Sequence, residues 1–142
     1  MRVTHNQVRS FHKMIFSWWK DNRRDLPWRR TRDPYRILVS EVMLQQTQVS
    51  RVLPKYNEFL AAFPDVFALA NASTGDVLRI WKGMGYNRRA LYLKRAAEAV
   101  VAAYHGKFPD SELLLTKLPG VGTYTARAIM VFAYEQNVAM VD

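Results

Sequence analysis

Leu118-Pro119-Gly120-Val121-Gly122-Thr123-Tyr124-Thr125-Ala126 is the stretch that decides the fold. It joins a helical pattern at residues 111–117 to another at 123–134 through a turn that needs glycine. Gly120 and Gly122 can take positive φ and let another backbone come close. The first N–H groups of the second helix lack intrahelical acceptors and stand at the positive end of its dipole. Such a turn can hold an anion, and a DNA phosphate fits it. A lone Gly-x-Gly would favour a plain turn between two antiparallel helices. Leu118-Pro119 before it and the Thr-Tyr-Thr-Ala run after it sharpen the reading. Leu118, Gly120, Val121, Gly122, Thr123 and Thr125 are therefore the expected DNA contacts.

Outward from the hairpin, nearly every segment reads as helix. Val8, Phe11, Ile15, Trp18 and Trp19 stripe one face of a first helix, residues 5–21. Asp33-Pro34 offers an N-cap and Pro at N1 for a second, reaching Gln46. A third spans 49–63, with Pro54 bending it or lying near its start. Short helices fall at 65–71 and 74–82, and Gly83 and Gly85 make a turn. Leu93, Ala97, Val100, Val101 and Tyr104 stripe a long helix over 87–105, closed by Gly106. No β-type alternation competes, apart from the apolar tail at 138–141. Helices with short joints predict an all-α bundle containing a helix-hairpin-helix motif.

Composition narrows the function. Apolar residues form 49% of 142, enough for a core and one domain. No apolar run approaches the roughly 20 residues of a membrane span. Arg2, His5, Arg9, His12 and Lys13 break any signal-peptide pattern, which favours a cytoplasmic, nucleoid-associated setting without membrane partners. There is no cysteine, hence no disulfide framework, thiol nucleophile or zinc ribbon within these residues. The net charge of +9 points to a polyanion partner. Residues 82–95 hold five bases and no acid (Lys82, Arg88, Arg89, Lys94, Arg95), a basic helix behind the Gly83-Met84-Gly85-Tyr86 turn. Gly83 and Gly85 form a second phosphate-facing turn. Tyr86 at its tip suits either packing or a wedge between stacked bases.

Glu41 is the unusual carboxylate. From Ile37 to Leu44 its helix is apolar almost all round, so it should be buried. An acid there is costly unless paired or neutral. Burial raises a carboxyl pKa, which suits a general acid near neutral pH. A buried structural pair with Arg29 or Arg32 is the alternative. Gln45-Gln46-Thr47 ends the same helix; such residues either cap it or reach base edges and gaps in a stack.

Together these motifs closely resemble the MutY-type adenine DNA glycosylases of the helix-hairpin-helix superfamily. The resemblance rests on Leu26-Pro27-Trp28-Arg29, Pro34-Tyr35, the run from Ser40 through Gln45-Gln46-Thr47 to Val49, Gly83-Met84-Gly85-Tyr86, Lys107-Phe108-Pro109, the hairpin and Asp142. It implies an enzyme that flips adenine from a mismatch with 8-oxoguanine or guanine in duplex DNA and cleaves its N-glycosidic bond, working as a monomer. By resemblance, Glu41 protonates the leaving adenine and Asp142 stabilises the oxocarbenium-like sugar. Gln46 enters the stack, Tyr86 wedges beside the opposite base, and Leu26, Trp28, Arg29, Leu44 and Val49 line the adenine pocket. Tyr124 stands where related glycosylase/lyases carry a Schiff-base lysine, so a monofunctional enzyme is expected.

Some thymine-mismatch glycosylases share that tyrosine, leaving thymine or uracil excision as an alternative. A non-catalytic DNA-binding module is a second alternative. Asn87 departs from the family, where a second aromatic often follows Tyr86. The resemblance also implies that residues 1–25 supply a helix to a second lobe and 26–136 form the helical barrel, its hairpin at 111–134. It places a 4Fe-4S cluster and an 8-oxoguanine-reading domain beyond residue 142. The 142 residues alone are accordingly expected to be poorly stable or inactive, with the apolar stripe of the first helix partly exposed.

Overall fold

The computed structural model describes residues 2–140; Asp142 lies outside the described residues. Every regular element among them is helical. The order is α1 (His5–Asn22), a 3-10 turn (Pro27–Arg29), α2 (Pro34–Leu44), α3 (Val49–Ala62), α4 (Val66–Asn71), α5 (Thr74–Trp81), α6 (Arg88–Tyr104), α7 (Glu112–Leu115) and α8 (Thr123–Tyr134).

The central element is α2, as its unbroken apolar character requires. It packs on α3, α6, α8 and the 3-10 turn. From Ile37 to Met43 every side chain is buried, Glu41 included. Fully burying Ile37, Leu38 or Met43 contributes about 1.5–3 kcal/mol apiece. Asp33 caps the start of α2 by accepting from the Tyr35 N–H, 2.9 Å. The Tyr35 hydroxyl donates to the Phe63 carbonyl, 2.7 Å, tying α2 to the end of α3. On the other side α6 packs on α4 and α5, and α7 packs on α8.

Helix α1 differs. A Thr4–Gln7 capping box starts it, yet it contains no buried residue. Its stripe is exposed: Phe11 is 56% accessible and Trp18 63%. The expected amphipathic helix is present, and its apolar face has no described partner.

Two sequence expectations are corrected. First, α2 stops at Leu44 rather than Gln46, because Gln45 turns extended, ψ 113°, and Gln46 follows in a left-handed conformation, φ 55°. Arg89 meets the carbonyls of Val42, Met43 and Gln45 there and ends the helix. Second, the helix expected over 111–117 shrinks to Glu112–Leu115. The Thr116 hydroxyl donates back to the Glu112 carbonyl, 2.8 Å, and Lys117 and Leu118 wind by tighter three-residue bonds. Those bonds turn the chain into the hairpin.

Candidate active site

A cleft of about 650 Å³ opens where α2 meets the start of α8. It is lined by Arg29, Glu41, Leu44, Gln45, Gln46 and residues 122–125. Glu41 and Tyr124, far apart in sequence, thus share one cavity. Glu41 is 6% exposed, so its carboxyl reaches the cleft from a largely buried position. The Arg29 Nη1 lies 4.0 Å from its Oε1, the outer limit of an ion pair. The Arg29 guanidinium also stacks on the Phe132 ring, 4.2 Å from its centroid. Arg32 pairs with Glu135 at 2.8 Å. Of the two arginines that could pair with Glu41, Arg29 is the one at ion-pair distance.

The expected adenine pocket is only partly assembled around Glu41. Arg29 and Leu44 line its cleft. Leu26 lines a neighbouring cavity of about 910 Å³ with Trp19, Arg29 and Phe132. Asp25 also lines that cavity; the Arg30 guanidinium engages it and holds it below the usual carboxylate range. Trp28 is 1% exposed and packs edge-on against Tyr56, centroids 5.2 Å apart. Val49 is a half-buried core neighbour at the start of α3.

The hairpin divides its residues between folding and solvent. Leu118 and Val121 are buried and anchor the turn, and Thr125 is largely buried while still lining the cleft. The Val121 N–H already donates to the Leu118 carbonyl, 3.1 Å. Gly120, Gly122 and Thr123 face outward. Gly120 has φ 74°, and a Cβ there would lie 2.7 Å from the Tyr92 Cβ, so both conformation and packing demand glycine. Gly122 is different. Its φ is −89° and a Cβ would meet nothing within 4 Å. As N-cap it gives α8 no side-chain cap.

Gln45 and Gln46 also border a second groove, of about 580 Å³, with Tyr86, Asn87, Arg88, Arg89, Tyr92 and Gly120. The three expected DNA-facing loops therefore form one continuous surface. Gly83 and Gly85 both have positive φ with open space where a Cβ would stand. Tyr86 is 64% exposed and Arg88 is exposed.

The acid-free basic segment is less basic at its surface than in sequence. Lys94 is buried, donating to the Ala70 carbonyl at 3.1 Å and pairing with Glu98. Arg89 turns inward: its Nη1 donates to Val42, Met43 and Gln45 carbonyls and its Nη2 to the Thr47 hydroxyl, 3.0 Å. Lys82, Arg88 and Arg95 remain exposed. The sequence did carry this signal. Arg89 stands four residues before Leu93 on the apolar stripe of α6, whereas Arg88 is off it.

A thiolate-ligated cluster does not fit these residues, since the sequence has no cysteine. Among the described residues no group of His, Asp and Glu could hold a metal ion. No described helix is long and apolar enough to cross a membrane.

Comparisons with known proteins agree with this architecture. Residues 39–142 match the family model for HhH-GPD superfamily base excision DNA repair proteins. The chain is 46% identical over 129 residues to the adenine DNA glycosylase of Mycobacterium tuberculosis, covering 90% of this chain and 42% of that protein. It is 41% identical over 145 residues to the adenine DNA glycosylase of Homo sapiens, covering 96% and 27%. The chain thus spans less than half the length of these relatives. A thermostable thymine-DNA glycosylase superposes with TM-score 0.88 at 36% identity, covering 94% of this chain and 62% of that one. A trapped endonuclease III–DNA complex shares the fold, TM-score 0.83 at 20% identity, over 99% and 65%. The chain belongs to the HhH-GPD superfamily of base excision DNA repair proteins.

Proposed function

We propose that this chain carries catalytic residues of a monofunctional adenine DNA glycosylase acting on adenine opposite 8-oxoguanine or guanine in duplex DNA. The observation that carries the reading is the single cleft holding Glu41, Tyr124 and Gln46, continuous with the Gly83–Tyr86 and hairpin surface. The target bond is sheltered in a duplex, so the adenine must leave the stack to reach a recessed acid. Gln46 and Tyr86 stand exposed at the rim, where one would fill the gap and the other wedge beside the opposite base. The open side of Gly122 and the start of α8 suit a phosphate approaching closely.

Within that reading, Glu41 donates a proton to the leaving adenine while the glycosidic bond breaks. Asp142, an ionised carboxylate, stabilises the positive charge that develops on the sugar, and water completes hydrolysis. Tyr124 offers a phenol rather than an amine and cannot form an imine with the sugar, so strand cleavage is not part of the reaction. The adenine glycosylase names of the relatives in bacteria and mammals support the choice of base. The likeness to a thymine-DNA glycosylase favours a second reading, release of thymine from a T:G mismatch. Single-turnover base release by the full-length protein from A:8-oxoguanine and T:G duplexes separates the two. Adenine release without strand scission is expected; thymine release alone would replace the first reading with the second.

A further inference from the structure

Arg89 makes more contacts with the protein than a phosphate ligand can spare. Its Nη1 donates to the carbonyls of Val42 (3.0 Å), Met43 (3.0 Å) and Gln45. Its Nη2 donates to the Thr47 hydroxyl (3.0 Å) and to the carbonyls of Met84 (3.4 Å) and Gly85 (3.3 Å). The guanidinium lies 5.3 Å from the Trp81 ring centroid and 5.5 Å from that of Tyr86. Its Nε is buried and has no hydrogen-bond partner among the described residues. One fork of donors therefore bridges two loops that α2 and α5 deliver from different parts of the chain.

Those loops share an unusual feature. Gln46 and Tyr86 are both non-glycine residues in the left-handed region, φ 55° and 48°. Such a conformation persists only where neighbours hold it. Each residue adjoins a carbonyl that Arg89 binds: Gln45 for one and Gly85 for the other. We propose that Arg89 is a positioning residue that locks Gln46 and Tyr86 into one preset wedge, so that a single guanidinium sets the spacing of the two side chains that enter the DNA stack. The part about DNA rests on the glycosylase reading; the coupling of the two loops does not.

The chemistry separates this role from a phosphate contact. A phosphate site needs one positive charge, which lysine also supplies. A bridge needs a planar fork with donors aimed both ways, which lysine lacks. Full-length Arg89→Lys and Arg89→Met proteins test the difference, with rates expressed per active molecule by titration against duplex.

Two measurements decide it. The first is hydrogen exchange without DNA at residues 45–47 and 83–86. Both variants are expected to lose protection in both loops together, while α2 keeps its own. The second is single-turnover adenine release, with 2-aminopurine beside the target reporting unstacking. Both variants should lose the unstacking signal and slow release by about 100-fold, the scale of an ångström-level misplacement. The salt dependence of duplex binding should keep the wild-type slope. Should Arg89→Met fail to fold, Arg89→Lys decides alone.

Restoration of release by Arg89→Lys, with a slope shallower by about 0.9 in Arg89→Met, would make Arg89 a phosphate ligand and overturn the proposal. Lost protection in one loop only, or wild-type unstacking with a lower Tm, would overturn it as well. If wild-type protein released no adenine, the glycosylase reading would fall, and loop exchange alone would then uphold or refute the bridge.

Discussion

The two hairpin glycines look equivalent in sequence and do different work. Gly120 holds a left-handed φ and touches Tyr92, so Gly120→Ala adds backbone strain and a clash. A loss of about 2–4 kcal/mol in unfolding free energy is expected, measured by urea titration. Gly122→Ala keeps an ordinary φ in open space. It should cost below about 1 kcal/mol, the scale of a poorer N-cap. Its effect should appear instead as weaker duplex binding, because the added methyl stands where a phosphate would approach. Equal stability losses in the two variants would contradict this division of roles. Sequence pattern gave both glycines the same phosphate role; only the backbone φ and the Tyr92 contact separate them. Glu41 was legible for a simpler reason. An acid in an otherwise apolar stretch must be buried, whatever the details of packing.

At the scale of elements, helix identity was readable and helix ends were not. Periodicity, caps and turn residues together located each of the helices α1–α8, but α2 ends where Arg89, forty-four residues beyond Gln45, meets its last carbonyls. No local pattern encodes that bond. The link from α2 to the end of α3 is equally long-range: the Tyr35 hydroxyl donates to Phe63. Tyr35→Phe leaves that carbonyl unpaired and should cost about 1–3 kcal/mol. Burial pushes the Tyr35 ionisation well above the ordinary tyrosine range, and Tyr56 and Tyr134 shift the same way. The unfolded chain therefore loses these protons first as pH rises. The tyrosines' contribution is intact below the unfolded value of about 10 and is lost as pH climbs beyond it. Alkaline titration of Tm should show the decline, and Tyr35→Phe should make it shallower. Helix α1, with no buried residue, should exchange its amides faster than α2; equal protection would show that α1 has a partner face.

For the whole molecule, the net charge of +9 points to a polyanion partner but overstates the basic helix. Lys94 and Arg89 are spent inside the protein, on a carbonyl, an ion pair and a bridge between loops. Binding to duplex should weaken with salt, log K falling by about 0.9 per phosphate neutralised. Arg88→Ala should flatten that slope by about one such step, because Arg88 is exposed in the groove. A slope unaffected by Arg88→Ala would remove it from the interface. The central claim, however, concerns chemistry in the cleft where Glu41 meets Tyr124 and Gln46. Its most direct test is single-turnover adenine release from an A:8-oxoguanine duplex by full-length wild-type and Glu41→Gln proteins. A fall of about 10²- to 10⁴-fold with duplex affinity retained is the expected result. Wild-type release by Glu41→Gln would contradict the account.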